Sequence, residues 1–262
     1  MNVSKLIVRS NTQVSERYWH MVVDASSISE PILPGQFFNI KCADELTPFL
    51  RRPFSIYRIN KQEQTIEFLY LVKGLGTQRM THIADGDEVD VFGPLGEGFT
   101  LEERWDTILL LARGVGIATL AALAQEAAER NVKCIAILSA RSKNDLLAAE
   151  TLQGFGATVY HVTDVAGTSS VENVSSLIEQ IMSDTDIKAA FTCGSKRLSK
   201  LLQMITREQQ IPAQIALEEH MGCAMGVCFA CVCDLREDNL IRSVRVCKEG
   251  PVFDLDKVVL TS

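Results

Sequence analysis

The hydrophobic positions of the first hundred residues come in short runs, many of which alternate with polar residues. Turn signals rich in Gly, Pro and Asp separate these runs about every eight to twelve residues, as in small barrels and sandwiches. The pattern predicts an all-β domain over residues 1–100, with strands at residues 5–10, 18–23, 37–41, 51–58, 65–72 and 88–92.

The pattern changes after Gly98. Residues 107–112 form a continuous apolar run, which is typical of a parallel strand that is buried on both faces. Further strands are predicted at residues 134–138, 158–162, 189–192 and 214–217, and helices at residues 117–129, 143–152, 171–182 and 198–209. This alternation predicts a parallel α/β sheet with right-handed crossovers over residues 101–216.

Residues 217–262 contain a cysteine-rich loop. Cys223, Cys228 and Cys231 follow the spacing C-x4-C-x2-C, and Cys247 stands alone after a gap of fifteen residues. This is the plant-type ligand spacing of a [2Fe-2S] cluster, whose irons prefer soft thiolate ligands. A zinc site or free thiols are the alternatives, but zinc sites usually place cysteine pairs at both ends of the site. The spacing therefore predicts a small C-terminal [2Fe-2S] domain.

Composition and charge narrow the possible functions. The 262 residues carry a net charge of -7, which gives no indication of nucleic-acid binding. The sequence shows neither a signal peptide nor an apolar stretch near the ~20 residues of a membrane span. Eight cysteines without an export signal indicate a reducing cytoplasm, where clustered thiols bind metals. Cys42, Cys134 and Cys233 lie outside the ligand pattern, and we interpret them as buried structural thiols. The sequence predicts no catalytic residue.

Two segments of the β-rich part have ligand-binding character. Arg52-Pro53-Phe54-Ser55 offers a guanidinium to a pyrophosphate and a hydroxyl to a flavin ring. The other segment is a strand that runs into a Gly-x-Gly-Thr turn, where glycines let backbone N–H groups approach an anion. Its candidate residues are Tyr70, Leu71, Val72, Gly74, Gly76 and Thr77. The alternatives are a solvent-exposed strand face for the first segment and an ordinary capped turn for the second.

In the α/β part, loops that follow successive strands outline one rim. Ligands of parallel sheets bind at the carboxyl ends of the strands. The candidates in strand order are Gly114 and Gly116, then residues 139–141, then Thr163 and Asp164, then Cys193 and Gly194. Each of these has an alternative interpretation as an ordinary loop residue, but together they predict a nucleotide site.

Taken in order, these motifs resemble those of the ferredoxin–NAD(P) reductase superfamily over essentially the whole chain. Residues 218–231 and 246–253 are more closely similar to the electron-transfer subunits of NAD-dependent bacterial dihydroorotate dehydrogenases. The resemblance implies a β-barrel that binds FAD, an α/β domain that binds NAD at its rim, and a [2Fe-2S] cluster on the four cysteines. It implies that Arg52 and Ser55 contact the flavin, and that Gly76 and Thr77 contact its pyrophosphate.

The same resemblance implies a partner protein. An FMN-containing catalytic subunit would oxidise dihydroorotate in pyrimidine biosynthesis, within a hetero-oligomer of two of each subunit. Electrons would then pass from FMN through the cluster and FAD to NAD+. This order suits the chemistry, because the cluster passes single electrons whereas FAD delivers a hydride to nicotinamide. The chain would be a cytoplasmic oxidoreductase subunit without a membrane or nucleic-acid partner.

The sequence departs from that family in the nucleotide loops. Residues 112–116 read Ala-Arg-Gly-Val-Gly where the family has Gly-Gly-Gly-x-Gly, so Arg113 places a large cation where backbone should approach a nucleotide. Thr119 stands near the family's proline, and Ser195 replaces the proline of its Cys-Gly-Pro element. The alternative hypothesis is therefore a divergent reductase or conduit subunit of another flavoprotein complex, with an altered or lost NAD site. A third hypothesis, an iron–sulfur sensor without flavin, is disfavoured by the intact flavin motifs.

Overall fold

The N-terminal part of the chain is one curled antiparallel sheet. The structure is a computed structural model that describes residues 2–43, 47–238 and 240–260. The seven strands of this sheet are β1 (Asn2–Gln13), β2 (Tyr18–Asp24), β3 (Phe37–Ile40), β4 (Arg52–Ser55), β5 (Arg58–Asn60), β6 (Thr65–Leu71) and β7 (Glu88–Leu95). Their order across the sheet is β4-β3-β7-β1-β2-β6-β5, so β4 and β5 lie at opposite edges although they are neighbours in the chain.

The prediction of one strand over residues 51–58 is wrong, because the backbone changes partners in the middle. The N–H of Ile56 donates to the carbonyl of Gln36 beside β3 (3.2 Å), whereas the N–H of Tyr57 donates to that of Glu67 in β6 (2.8 Å). The chain thus crosses from one edge of the sheet to the other and closes the barrel. The helix that follows β6 is α1 (Leu75–Met80).

The second part is a sheet with five parallel strands. These are β8 (Thr107–Arg113), β9 (Lys133–Ala140), β10 (Thr158–Thr163), β11 (Ala189–Cys193) and β12 (Ala213–Ala216), in the order β10-β9-β8-β11-β12. The order reverses between β8 and β11, and such a reversal opens a crevice at the carboxyl ends of the strands. Residues 107–112 are all buried, which explains their continuous apolar run.

Four helices within the described ranges cover the two faces of this sheet. They are α2 (Ile117–Glu129), α3 (Ala149–Gly154), α4 (Val171–Asp184) and α5 (Lys196–Glu208). The helix predicted over residues 143–152 is interrupted: residues 143–145 form a 3-10 turn, and Ala148 takes a φ of 61°. A left-handed φ is costly for alanine and breaks the helical path, so α3 starts only at Ala149.

The C-terminal segment returns to both earlier parts. After the cysteine loop, β13 (Val232–Glu237) pairs with β14 (Leu240–Arg245), and β15 (Val252–Asp254) joins the parallel sheet antiparallel to β12. Just before β15, the carbonyl of Gly250 accepts from the N–H of Glu97 (2.7 Å), and that of Pro251 accepts from the N–H of Leu217 (2.9 Å). The cysteine region is thereby tied to the barrel and to the sheet. The domain boundaries after residues 100 and 216 stay a prediction.

Direct contacts also join the barrel to the α/β part. The hydroxyl of Tyr57 donates to Oγ1 of Thr151 in α3 at 2.9 Å. The amide of Gln125 in α2 pairs with both backbone groups of Ile59, donating to the carbonyl at 2.6 Å and accepting from the N–H at 3.1 Å. No helix in the described part of the chain is long and apolar enough to cross a membrane.

Ser195 caps α5 at its N-terminus, and its replacement provides a test of this fold. Its hydroxyl oxygen accepts from the N–H of Leu198 at 3.4 Å, which satisfies one of the helix's free donors. We expect Ser195→Ala to cost about 1 kcal/mol of stability and to lower the Tm by about 2–4 °C in thermal denaturation. Ser176→Ala is the control, because this exposed hydroxyl only donates to a carbonyl within α4. Equal losses in the two variants would contradict the capping role.

Candidate functional site

The cysteine loop wraps around the sulfur of its first cysteine. Three backbone N–H groups point at Sγ of Cys223, those of Met225 (3.5 Å), Val227 (3.3 Å) and Cys228 (3.4 Å). Burial alone would raise the pKa of Cys223, but these hydrogen bonds outweigh it and lower the pKa to about 6. The loop therefore favours the thiolate form that iron ligands require.

The four cysteines approach one another as two pairs. Cys228 lies next to Cys223, while the N–H of Cys247 donates to Sγ of Cys231 at 3.4 Å. Across the described residues, no three His, Cys, Asp or Glu side chains converge on the position of one metal ion. Two pairs suit a two-iron cluster, in which each iron takes two thiolates. Cys231 and Cys247 are buried and Cys228 is exposed, so one end of the site faces the interior.

Arg245 fastens the cysteine loop to the strand that carries Cys247. Its guanidinium donates to the carbonyl of Gly226 at 2.7 Å and forms an ion pair with Glu249. The same group stacks over the ring of Phe229, 5.0 Å from the ring centroid. The spacing of the cysteines did not indicate a role for Arg245, because its contacts lie up to nineteen residues away in the chain.

The two candidate flavin segments meet at one place in the structure. A Cβ atom added to Gly76 would lie 3.4 Å from Nε of Arg52 and 3.3 Å from Sγ of Cys42. Pro53 and Ser55 are half-buried on the same strand as Arg52. The glycine thus allows close approach between the turn and the arginine, and a side chain there would crowd both.

Thr77 closes the Gly-x-Gly-Thr turn. Its hydroxyl oxygen accepts from the N–H of Lys73 at 2.9 Å and from that of Gly74 at 3.2 Å. Leu71 and Val72, which lead into the turn, are half-buried. Thr77 therefore holds the backbone of the turn in shape, as the capped-turn interpretation expects. This shape positions Gly76 beside Arg52.

Tyr70 lies in the barrel core beneath this turn. Its ring packs edge-on against Phe54 with 5.7 Å between centroids, and its hydroxyl donates to Oδ1 of Asn11 at 3.0 Å. The side-chain amide of Asn11 in turn donates to the carbonyls of Met80 (2.8 Å) and Ile83 (3.0 Å). Asn11, which the sequence analysis did not single out, therefore anchors the end of α1 to β1. The structure gives Tyr70 and Phe54 a supporting position in the core.

The predicted nucleotide rim is built from two loops in backbone contact. A Cβ atom on Gly116 would lie 2.7 Å from backbone carbons of Cys193 and Gly194. Gly194 has a φ of +91°, and a Cβ there would lie 2.2 Å from the carbonyl oxygen of Arg113. Gly114 also has a positive φ, 55°, and lies next to Tyr18 of the barrel. The loops after β8 and β11 thus form one continuous edge of the crevice.

A buried thiol lies beside the carboxyl group of an exposed glutamate at this edge. Sγ of Cys193 is 3.9 Å from Oε1 of Glu218, which follows β12 directly before the cysteine loop. Burial raises the pKa of Cys193, and the neighbouring Glu218 raises it further. Local desolvation of its carboxyl group raises the pKa of Glu218, whereas the hydrogen bond from Cys193 lowers it. The pair connects the nucleotide rim with the start of the cysteine loop.

The side chain of Arg113 points along the rim toward β9 and β10, away from the contact between the two glycine loops. Its guanidinium donates to Oγ of Ser139 at 2.7 Å and forms a two-pronged ion pair with Asp164, with Nη2 to Oδ2 at 2.6 Å. Hydrogen bonds from Arg113 and Ser169 lower the pKa of Asp164. The predicted rim residues of β8, β9 and β10 are therefore brought together by one arginine.

Replacement of Arg245 tests how the cysteine loop is held. Arg245→Gln removes the contacts to Gly226, Glu249 and Phe229 and so allows the loop to open more often. We expect a chelator to bleach the visible absorbance of the iron–sulfur protein about tenfold faster in this variant, because charged hydrogen bonds stabilise more than neutral ones.

Arg242→Gln is the matched control on the same hairpin. Arg242 forms only an exposed ion pair with Glu237 at 3.5 Å, and such pairs contribute little. Equal chelation rates for Arg245→Gln, Arg242→Gln and the unmodified chain would show that the loop does not depend on Arg245.

The sequence of the whole chain matches known proteins. Residues 218–259 match the family model of the iron–sulfur cluster binding domain of dihydroorotate dehydrogenase B. The chain is 35% identical over 264 residues to the electron transfer subunit of dihydroorotate dehydrogenase B (NAD+) from Bacillus cereus, over 99% of this chain and 100% of the relative. The subunit of the same name from Bacillus anthracis matches with the same identity and coverage.

The fold matches solved reductase structures. An NADH-dependent reduced ferredoxin-NADP oxidoreductase, studied for flavin-based electron bifurcation, aligns with a TM-score of 0.81 and 22% identity over 97% of this chain and 90% of that one. A ferredoxin NADP+ reductase from Neisseria gonorrhoeae with bound FAD and NADP aligns with a TM-score of 0.64 and 16% identity over 79% and 92%. These matches confirm the predicted ferredoxin-reductase-like fold. Together with the full-length relatives, they show that the chain belongs to the family of dihydroorotate dehydrogenase B electron transfer subunits.

Proposed function

We propose that this chain carries FAD and a [2Fe-2S] cluster and passes electrons between an FMN-containing dihydroorotate dehydrogenase subunit and NAD. The observation that carries the proposal is the cysteine loop. Its four cysteines form two pairs, and Cys231 and Cys247 belong to the same hydrophobic core as Leu109 and Ile135 of the nucleotide-type sheet. When bound, the cluster supplies single-electron transfer and FAD supplies hydride exchange with nicotinamide.

The barrel residues fit a flavin with a pyrophosphate. Arg52 would hold the pyrophosphate, because its planar fork matches phosphate oxygens. Gly76 lies beside it with no side chain in the way, and Thr77 keeps the turn in shape. Ser55, on the same strand, would present its hydroxyl to the flavin ring. Tyr70 would support this surface from the core.

The rim of the parallel sheet fits a dinucleotide. Gly114 and Gly116 would allow its pyrophosphate to approach the backbone at the crevice between β8 and β11. Cys193 and Gly194 would border the nicotinamide on the other side of that crevice. The thiol of Cys193 is fully buried against Glu218, so it would shape this end of the site without being exposed to solvent.

The catalytic partner would dock at the exposed end of the cysteine loop. Met225, Val227 and Phe229 expose 49%, 72% and 62% of their surface there. Clustered exposed apolar side chains mark interaction surfaces. The assembly would contain two of each subunit. None of the eight cysteines forms a disulfide, which suits a cytoplasmic location, where thiols stay reduced.

The alternative is a conduit subunit that has lost its nucleotide site, and Arg113 is the observation that favours it. Anaerobic addition of NADH to the purified chain separates the two functions. Bleaching of the flavin absorbance within seconds supports the reductase, whereas an unchanged flavin spectrum in protein that dithionite reduces supports the conduit.

Reconstitution with the partner tests the proposal as a whole. We expect the chain to contain about one FAD and about two irons, measured by flavin extraction and iron analysis. Together with an FMN-containing dihydroorotate dehydrogenase subunit it should reduce NAD+ at the expense of dihydroorotate, and neither chain should do so alone. Protein that contains zinc in place of iron, or that lacks flavin after reconstitution with FAD, would contradict the proposal.

The two glycines of the barrel turn provide a matched pair of variants for the flavin site. Gly76→Ala would place a Cβ against Arg52 and Cys42, so we expect the dissociation constant of FAD to rise about tenfold or more. Gly74→Ala is the control, because a Cβ there has no neighbour within 4 Å among the residues that the structure describes, and its φ of -148° suits any residue. Affinity can be measured by flavin fluorescence. Equal FAD affinities in the two variants would place the pyrophosphate elsewhere.

A further inference from the structure

Arg113 is the last residue of β8, and its side chain reaches over the ends of two neighbouring strands. Its guanidinium contacts Ser139 near the end of β9 and Asp164 directly after β10. The crevice lies between β8 and β11. The side chain of Arg113 therefore points away from Cys193, toward the side of the crevice left for the adenosine half of a dinucleotide under the proposed function.

One edge of this guanidinium is free. Of its five N–H donors, the two on Nη1 go to Ser139 Oγ (2.7 Å) and Asp164 Oδ1 (3.3 Å), and one on Nη2 goes to Asp164 Oδ2 (2.6 Å). Within the described ranges, the Nε–H and the second N–H of Nη2 have no hydrogen-bond partner. These two groups lie on the same edge and point in parallel, which is the geometry that binds two oxygens of one phosphate.

The direction of the free edge is fixed by Asp164, which is itself held by the buried Ser169. The hydroxyl of Ser169 donates to Oδ1 of Asp164, and Arg197 donates to the carbonyl of Ser169 at 3.0 Å. Ser169 is 2% exposed and the side chain of Arg113 is 24% exposed. Because the guanidinium is already held at both carboxylate oxygens, little further ordering is needed when a ligand binds.

The charge at this end of the rim favours an anion. Arg113, Arg141 and Arg197 carry positive charge. Asp164 pairs with Arg113, and Glu172 lies close enough to Arg197 for their opposite charges to interact. The loops after β9 and β10 are in contact, with the N–H of Val165 donating to the carbonyl of Arg141 at 3.1 Å. In a chain with a net charge of -7, this local excess of positive charge is a specific feature.

We propose that Arg113 is a specificity-determining residue for the nucleotide, binding a phosphate group of its adenosine half through the Nε–Nη2 edge, with Asp164 as its positioning residue. The proposal rests on the proposed function and assigns a role to the residue that departs from the family's glycine loop. The phosphate belongs either to the pyrophosphate, which NAD and NADP share, or to the 2′-phosphate of NADP.

Nucleotide affinity of the full chain, loaded with FAD and cluster, tests the proposal. Binding of NAD+ and NADP+ is measured by calorimetry, and KM is measured with NADH and NADPH. We expect Arg113→Ala to weaken binding about tenfold to a hundredfold, as loss of a charged bidentate contact does. Equal factors for the two nucleotides assign the contact to the pyrophosphate, whereas a larger factor for NADP+ assigns it to the 2′-phosphate.

Two further variants keep the test independent of folding. Arg113→Lys keeps the charge without the fork, and we expect an intermediate loss of affinity. Asp164→Asn leaves Arg113 less firmly held, so it should weaken nucleotide binding by roughly threefold. Arg207→Ala is the control, because it removes a comparable ion pair, with Asp256, away from the rim. Flavin and iron content confirm that each variant is folded.

Two different results would contradict the role of Arg113, and they can be told apart. If the unmodified chain binds nucleotide and Arg113→Ala binds it equally or more tightly, Arg113 does not read a phosphate and the proposal is overturned. If the unmodified chain binds neither nucleotide, the nucleotide part of the proposed function fails, and the role of Arg113 fails with it. Lower salt dependence of binding in Arg113→Ala than in Arg207→Ala would support a direct phosphate contact.

Discussion

The arrangement of this protein depends on a short stretch of backbone, residues 250–252, where its three parts meet. The carbonyl of Gly250 binds the barrel through Glu97, and the carbonyl of Pro251 binds the chain that enters the cysteine loop. Val252 then pairs with Ala216 at the edge of the parallel sheet. The contact needs a glycine at position 96, because a Cβ there would lie 2.5 Å from the Gly250 oxygen. These hydrogen bonds join the barrel, the parallel sheet and the cysteine loop to one another.

This junction gives the cluster site an inner and an outer end. Cys231 and Cys247 pack into the core that the parallel sheet shares with the C-terminal segment, whereas Cys228 and the apolar side chains around it face outward. Glu218, which directly precedes the cysteine loop, contacts Cys193 at the end of β11. An electron-transfer subunit needs such an order, with one end of its redox path inside the protein and the other available to a partner.

The sequence predicted local features well and long-range contacts poorly. The apolar run at residues 107–112 is a buried strand, and Cys223 and Cys228 lie together in one loop, because both patterns depend on residues that are near in the chain. The single strand over residues 51–58 was wrong, because only the fold reveals that residues 56 and 57 change partners. Asp164 was predicted at the rim, but its ion pair with Arg113 links positions fifty-one residues apart. The cofactors were predicted from the resemblance to a known family, because the periodicity of hydrophobic residues does not indicate which cofactor a fold binds.

We propose that flavin and cluster in this chain form one redox path that connects the catalytic partner with the nucleotide. The most direct measurement is anaerobic titration of the purified chain with NADH, followed by optical and electron paramagnetic resonance spectra of the same samples. We expect NADH alone to bleach the flavin absorbance and to produce the resonance signal of a reduced [2Fe-2S] cluster. A cluster signal that appears only with dithionite, while NADH leaves the flavin oxidised, would contradict it.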